Sequence, residues 1–360
     1  MKIRRNRFTL LCIIFLAAAV LFSCVSNHPV IGNSSEDAPA LFKNNSGHEG
    51  PALAQVIAWR FKRLWRDNSN NGAAELPAAQ IDIARLHQPG PAPQLTWIGH
   101  ATLLLQMDDI NILTDPHFTD TASPVSWAGP KRVAAAAVSL DELPPIDIVV
   151  ISHNHYDHLD KASVEYIYQH KARGAHKTHF YVPRGLKSWF VNLGIEDVTD
   201  LNWWQSAHHG EWVIHATPVH HHSGRGLWDK NETLWSGWAL KRPGFSFFFA
   251  GDTGYSTDFA DIGRRLGPFD LAAIPIGGYA PKRLMSAAHV SPEDAVQIHR
   301  DVRSRHSVAI HWGTFAELTD EPIDEPPKRL RQALVDAQLP EDVFSVYQHG
   351  ETRTLATQEN

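Results

Sequence analysis

Residues 153–158 read His-Asn-His-Tyr-Asp-His. His153, His155, Asp157 and His158 set three imidazoles and a carboxylate within six positions. All are nitrogen or oxygen donors suited to zinc or a neighbouring first-row ion. On an extended stretch, side chains two apart point the same way. His153 and His155 can therefore grip one ion while Asp157 and His158 turn to a second. A histidine-rich surface loop is the alternative. It leaves unexplained both the order H-x-H-x-D-H and the preceding run Asp147-Ile148-Val149-Val150-Ile151-Ser152, an apolar, β-branched stretch that reads as a buried strand. Ligands at a strand end sit where rigid scaffold meets a free loop.

A site for two ions needs further donors, because each ion takes about four ligands and a bridge is usual when the ions lie about 3.5–4 Å apart. Three later places can supply them. Thr217-Pro218-Val219-His220-His221-His222 follows a strand candidate. Phe247-Phe248-Phe249-Ala250-Gly251-Asp252 delivers an aspartate from an aromatic strand into a glycine-rich turn. Val308-Ala309-Ile310-His311 is another buried run ending in histidine. A lone histidine after an apolar strand is more often structural than a ligand. Four strand ends in one chain, each delivering a ligand type, change that balance.

The elements that must hold these residues are mostly short strands. Thr96-Trp97-Ile98, Thr102 to Leu105 and Ile110 to Leu113 form a meander from 95 onward, with further strands expected at 147–152, 179–183, 212–217, 234–240, 245–250, 270–276, 307–311 and 343–347. Helices are clearest at 292–303, with Ser291 as N-cap and Pro292 at N1, and at 326–337, with Leu330, Leu334 and Val335 on one side. Residues 52–66 carry Leu53, Val56, Ile57, Phe61, Leu64 and Trp65 at helical spacing. This basic amphipathic helix either packs on the core, as most do, or lies on a membrane. Residues 68–94 read as loop. Many strands with helices interspersed argue for sheets covered by helices.

The chain has 360 residues, 22 histidines and a formal net charge of −6, which argues against a nucleic-acid partner held by overall positive charge. Lys2, Arg4, Arg5 and Arg7 precede an apolar run from Phe8 to Phe22 that is short for a membrane span and suits a signal peptide. The run ends Leu21-Phe22-Ser23-Cys24, which resembles a bacterial lipoprotein box. The expected organisation is a signal at 1–23, a flexible tether at 24–50, a helical extension and loop at 51–94 and a catalytic domain at 95–355. The expected location is an exported, lipid-anchored lipoprotein of a bacterial envelope, on the periplasmic side of the outer membrane if the cell has one. An uncleaved apolar anchor is the main alternative. Cys12 and Cys24 are the only cysteines, so a thiolate nucleophile and a cysteine-held metal are excluded beyond residue 24.

The order of these motifs resembles the metallo-β-lactamase superfamily. That likeness implies an α/β fold of αβ/βα type, two packed mixed sheets with outer helices and a two-metal site on one edge. Trp97-Ile98-Gly99-His100-Ala101-Thr102, Leu113-Thr114-Asp115-Pro116, Gly129-Pro130-Lys131-Arg132, Phe249-Ala250-Gly251-Asp252-Thr253-Gly254-Tyr255 and Ala309-Ile310-His311-Trp312-Gly313-Thr314-Phe315 sharpen it. They resemble the branch of N-acylphosphatidylethanolamine-hydrolysing phospholipases D over roughly residues 50–355.

The resemblance implies that His153, His155 and His221 hold one zinc ion, that Asp157, His158 and His311 hold a second, and that Asp252 bridges them. Manganese is the alternative metal. His221 follows from the spacing of the Thr-Pro-x-x-His string, with His220 as the neighbouring alternative. His289 and Asp157 are the residues assigned to catalysis. His100 and Asp115 would orient ligands through hydrogen bonds, with turn chemistry as the plainer reading of both. The implied reaction is phosphodiester hydrolysis by a hydroxide bridging two zinc ions, releasing N-acylethanolamine and leaving phosphatidic acid. The implied partners are a phospholipid substrate and a membrane surface, with a homodimer as an option. Rivals are a lactonase, nuclease or β-lactamase on the same metal site, or a non-catalytic binding lipoprotein.

Overall fold

The computed structural model describes residues 41–46, 50–51, 53–63, 76–226, 228–316 and 318–355. The expected signal at 1–23, Cys24 and most of the expected tether lie outside the described residues, as do residues 52 and 64–66 of the expected N-terminal helix. No helix among the described residues is long and apolar enough to cross a membrane.

Two seven-stranded sheets face each other. The first contains β1 (Gln94–Gly99), β2 (Thr102–Met107), β3 (Ile110–Thr114), β4 (Ile148–Val150), β5 (His179–Pro183), β6 (Val198–Leu201) and β14 (Thr352–Thr354), in the order β14-β1-β2-β3-β4-β5-β6. The second contains β7 (Ser206–His209), β8 (Trp212–Thr217), β9 (Gly237–Arg242), β10 (Phe245–Phe249), β11 (Phe269–Pro275), β12 (Ser304–Ile310) and β13 (Phe344–Ser345), in the order β13-β12-β11-β10-β9-β8-β7. Each sheet mixes parallel and antiparallel pairs.

Burial on both faces explains why so many strands read as unbroken apolar runs. In the first sheet, Trp97, Leu103, Leu105, Ile112, Ile148 and Val150 enter the core between the sheets. Their neighbours Ile98, Leu104, Leu113, Val149 and Ile151 enter a second core with Val164, Ile167 and Phe190. This is the strict alternation of a pleated strand, with apolar partners on either side. Phe247, Phe248 and Phe249 are wholly buried for the same reason.

Helices cover the outer faces. They are α1 (Leu53–Arg63), α2 (Ile83–His87), α3 (Lys161–His170), α4 (Lys187–Val191), α5 (Asp258–Arg265), α6 (Lys282–Met285), α7 (Pro292–Asp301) and α8 (Glu325–Asp336). α7 starts where the sequence predicts. Ser291 Oγ accepts from Asp294 N–H, and the Asp294 side chain accepts from Ser291 N–H, a reciprocal capping box. It ends at Asp301 rather than 303. On α8, Leu330 and Leu334 are buried but Val335 is exposed, because the inner face continues through Pro326, Pro327 and Ala333 instead.

α1 is tied to the domain by Trp59, a residue outside the expected apolar set. Trp59 is buried and its Nε1 donates to Asp320 Oδ2 at 3.0 Å, while Phe61 is exposed. Arg63 donates to the Leu318 carbonyl at 3.2 Å. Residues 41–46, within the expected tether, also lie against the domain. The Asn44 side chain donates to the His221 carbonyl at 2.9 Å and accepts from Trp235 Nε1 at 3.0 Å.

Three strands escaped sequence reading. β6, β7 and β14 each lie at a sheet edge and carry polar residues such as Asp200, His208 and Arg353. Edge strands bury less and lose the apolar signal.

Candidate metal centre

Four strands end at one edge and point their next residues at one another. β3 and β4 run parallel, and β8 and β10 both run antiparallel to β9, with β10, β11 and β12 parallel. The loops after β4, β8, β10 and β12 therefore leave the same edge, and they carry His153 to His158, His220 to His222, Asp252 and His311.

The side chains gather into two sets. His153, His155 and His221 form one, with His153 Nε2 2.8 Å and His221 Nε2 3.2 Å from His155 Nδ1. Asp157, His158 and His311 form the other, joined by His100. His158 Nε2 and His311 Nε2 lie 3.5 and 3.6 Å from Asp157 Oδ2. Asp252 stands between the sets. Its carboxylate is 3.1 Å from His158 Nε2, 3.1 Å from His311 Nε2 and 3.9 Å from His221 Nε2. His289 approaches from the α6–α7 connection, with Nδ1 3.7 Å from Asp252 Oδ2. The structure thus brings together all eight residues named for metal or catalysis.

The backbone is bent to achieve this. His100, Asp115 and His311 have φ of 54°, 35° and 59°, a left-handed conformation that side chains other than glycine rarely adopt and that concentrates at functional sites. Gly251 has φ +60°, and a Cβ there would fall 2.4 Å from Ser152 Cβ, so only glycine lets the Asp252 turn close on the His153 loop.

A buried network fixes ring orientation. Asp115 Oδ2 accepts from His158 Nδ1 at 2.7 Å and from Ser152 Oγ at 2.5 Å, and its Oδ1 accepts from Ser152 N–H. Ser152 Oγ also lies 2.9 Å from His153 Nδ1. His100 Nε2 is 3.0 Å from Asp157 Oδ2, and the His100 carbonyl accepts from His311 N–H at 2.9 Å. Thus the orienting roles expected of His100 and Asp115 have matching geometry. Ser152, Asn44 and Arg225 join this support without being foreseen. Arg225 donates to the Asn154 and Leu159 carbonyls at 2.8 Å each and lies over the Tyr156 ring, clamping the ligand loop. Nothing in their local sequence distinguishes them, since their partners lie up to 191 positions away.

The three consecutive histidines resolve differently from strand logic. β8 ends at Thr217, so His220 to His222 lie beyond the pleat, and His220 and His221 are both buried. Their Nδ1 atoms face successive carbonyls, Ala287 O at 2.7 Å and Ala288 O at 2.9 Å. Of the two, His221 is the one grouped with His153 and His155. His222 is half-buried, tilted against the His221 ring and edge-on to the His155 ring.

The electrostatics suit a cation. Burial, then neighbouring imidazoles, holds His153 and His221 well below the ordinary histidine range. Burial lowers His155 as well. His158 and His311 go the other way: burial opposes their charge, but Asp252 and Asp157 outweigh it, pushing His311 up to about 9. Burial likewise opposes the ionised form of Asp252, yet His158, His311 and His289 hold its carboxyl well below the usual range. The carboxylates thus demand positive charge at the centre. His158 Nε2, His311 Nε2 and Asp252 Oδ1 are buried with no hydrogen-bond partner, although they face one another. Inward-facing donors of this kind, at right spacing and without hydrogen bonds, fit a bound metal ion.

A family model described as a β-lactamase superfamily domain matches residues 110–312. The chain belongs to the metallo-β-lactamase superfamily. Within the superfamily it is 38% identical to N-acyl-phosphatidylethanolamine-hydrolyzing phospholipase D 1 of Caenorhabditis elegans, over 86% of this chain and 88% of that one. It is 36% identical to the mitochondrial N-acyl-phosphatidylethanolamine-hydrolyzing phospholipase D of Saccharomyces cerevisiae, over 65% of this chain and 50% of that one. Its fold matches a metallo hydrolase of the archaeon Ignicoccus hospitalis with a TM-score of 0.55 at 23% identity, covering 74% of this chain and all of that one. This metallo-β-lactamase-fold protein is a metal-dependent hydrolase, and its ligand-type residues lie where the sheets of that fold meet at one edge.

Proposed function

We propose that the protein is a zinc-dependent phosphodiesterase of the phospholipase D type. It hydrolyses N-acylphosphatidylethanolamine to N-acylethanolamine and phosphatidic acid. The observation that carries this reading is Asp252, a carboxylate between two histidine sets, which suits a pair of ions clamping one phosphodiester. The name of the C. elegans relative supports the choice of substrate. In this reading His153, His155 and His221 hold one zinc ion, Asp157, His158 and His311 the other, and Asp252 both. Bound there, zinc supplies Lewis acidity and hydroxide at neutral pH.

The chain's own residues do the rest. His100 fixes the Asp157 carboxylate, and Asp115 fixes the His158 ring. Burial holds His289 neutral, with its pKa lowered to about 4, so it meets a phosphoryl or leaving-group oxygen as a hydrogen-bond donor rather than a fixed charge. A small open cleft leads from His100 and His311 past Trp312, Thr314, Phe315, Leu318 and Glu321. Its lining mixes apolar side chains with polar ones, as a site for an amphipathic headgroup region would.

Product analysis tests the reaction. The purified protein, loaded with zinc or manganese, is offered N-acylphosphatidylethanolamine, phosphatidylcholine, a lactone panel and a cyclic nucleotide. N-acylethanolamine and phosphatidic acid are the expected products, and turnover of the lactones alone overturns the proposal.

We further infer export and lipid anchoring at Cys24, supported by the basic and apolar N-terminus. Two or more acyl chains give stable attachment, at about 0.8 kcal/mol per buried CH₂. Cys24→Ser is expected to release the protein from the membrane fraction. Retention after a high-salt wash makes the apolar segment itself the anchor.

A further inference from the structure

Eight large apolar side chains are exposed among the described residues, and four of them sit on loops that leave the metal-bearing edge, with two more on segments tied to such loops. Trp127 and Val133 lie on the loop after β3, Trp228 on the loop after β8 and Tyr255 on the turn after Asp252. Leu41 precedes Phe42, whose N–H donates to the Asn231 carbonyl of the β8–β9 loop. Phe61 is on α1, which is tied to Leu318 and Asp320 beyond β12. Scattered apolar residues on a surface need no explanation, but concentration on one edge does.

The two tryptophans stand out, at 80% and 75% exposed. Both have local hydrogen bonds beside them among the described residues. Around Trp127, Ala122 N–H donates to the Pro130 carbonyl at 2.9 Å, and Thr121 Oγ1 donates to the Ser126 carbonyl at 3.3 Å. Gly129 has φ +109°, and a Cβ there would meet Ser123 Cβ at 2.6 Å, so the loop closes tightly on itself. Around Trp228, both carboxylate oxygens of Asp229 are used, accepting from Arg225 N–H at 2.8 Å and Gly226 N–H at 2.7 Å. Both exposed indoles thus sit beside residues fixed by local hydrogen bonds. Lys131 and Lys230 follow within a few residues of the two indoles and are also exposed. Indoles backed by lysine suit the headgroup zone of a bilayer, where the ring is half solvated and cations meet lipid phosphates.

We propose that Trp127 and Trp228 are twin interfacial anchors that seat the metal-bearing edge directly on a phospholipid bilayer. The tips flank the ligand loops. Arg225, beside the Trp228 tip, clamps the loop of His153 to His158, and Arg132, at the foot of the Trp127 loop, pairs by backbone with Phe315 of the cleft wall. Seating both tips turns the cleft mouth toward the lipid, so a phosphodiester can move from the headgroup layer to the metals without crossing water. The consequence for catalysis rests on the phospholipid reading above, but the docking itself does not.

The full-length protein is reconstituted on vesicles of phosphatidylethanolamine and phosphatidylglycerol that contain no N-acylated lipid, with and without brominated acyl chains. Brominated chains are expected to quench part of the tryptophan emission of the parent protein. Trp127→Ser and Trp228→Ser should each lose a share of that quenching, and the double variant should lose most of it. Metal content and thermal midpoint should stay unchanged, which separates docking from folding. Quenching that is equal in parent and double variant overturns the proposal. So does shielding of both indoles from acrylamide without quenching by bromine, since the tips then lie in a protein contact. Because no substrate is present, either result leaves the assignment of the reaction untouched.

Discussion

Asp115 Oδ2 accepts from His158 Nδ1 across 2.7 Å in a pair that is wholly buried, and this leaves His158 Nε2 as the atom turned toward Asp252. A ligand histidine needs its other ring nitrogen fixed so that one tautomer and one orientation prevail. Asp115→Asn keeps the volume and removes the charge. Zinc affinity, read by chelator competition, is expected to fall by about 10- to 100-fold. An unchanged affinity would reduce Asp115 to turn chemistry.

Asp252 reaches both sets of histidines, and no other carboxylate among the described residues does so. Asp252→Ala should therefore abolish hydrolysis and lower the metal content by at least one ion per chain. Elemental analysis checks it. Full metal content in an inactive variant would keep Asp252 in the reaction but remove it from the metal site.

His221 and His222 make a paired test. His221 Nε2 is 3.2 Å from His155 Nδ1, whereas His222 contributes only a tilted ring contact to His221. His221→Ala is expected to lose activity by several orders of magnitude together with one metal ion, and His222→Ala to keep most of both. If His220→Ala is the inactive variant with depleted metal, the carbonyl contact of His220 is secondary and the ligand lies one residue earlier.

The difference between these histidines marks how far the sequence could be read. His153 to His158, Asp252 and His311 were legible because each follows an apolar run that has to be a buried strand, so their convergence follows from topology. His220 and His221 were not separable by strand alternation. The chain leaves the pleat after Thr217, and both rings are buried. Phe61 shows the same limit on a helix. Its spacing suggests the inner face, yet Trp59 is the residue that finds Asp320 as a partner. Such a choice depends on a loop more than 250 positions away, which no local pattern encodes. Edge strands such as β7 failed for another reason: their burial is too shallow to impose an apolar pattern.

His299 gives a pH dependence that is independent of the metal site. It lies on α7, is buried, and its Nδ1 is 2.8 Å from Ser307 Oγ on β12. Burial, then the charges of Arg300 and His306, lowers its pKa to about 4. An unfolded histidine titrates near about 6.5. Below that pH the unfolded chain takes up a proton that the folded chain refuses, so the stability this group contributes is full above about 6.5 and falls as the pH drops toward about 4. Between about pH 7.5 and about pH 5 the loss is on the order of 2 kcal/mol for this one group, at about 1.4 kcal/mol per pH unit. Metal affinity also weakens in acid, so the stability of the parent alone would not isolate the effect. The comparison of parent with His299→Gln does, because the metal contribution is common to both. Denaturant midpoints at the two pH values should show a smaller acid loss in His299→Gln than in the parent. Equal losses would mean that the imidazole gains a proton in the folded state by local opening of α7 from β12.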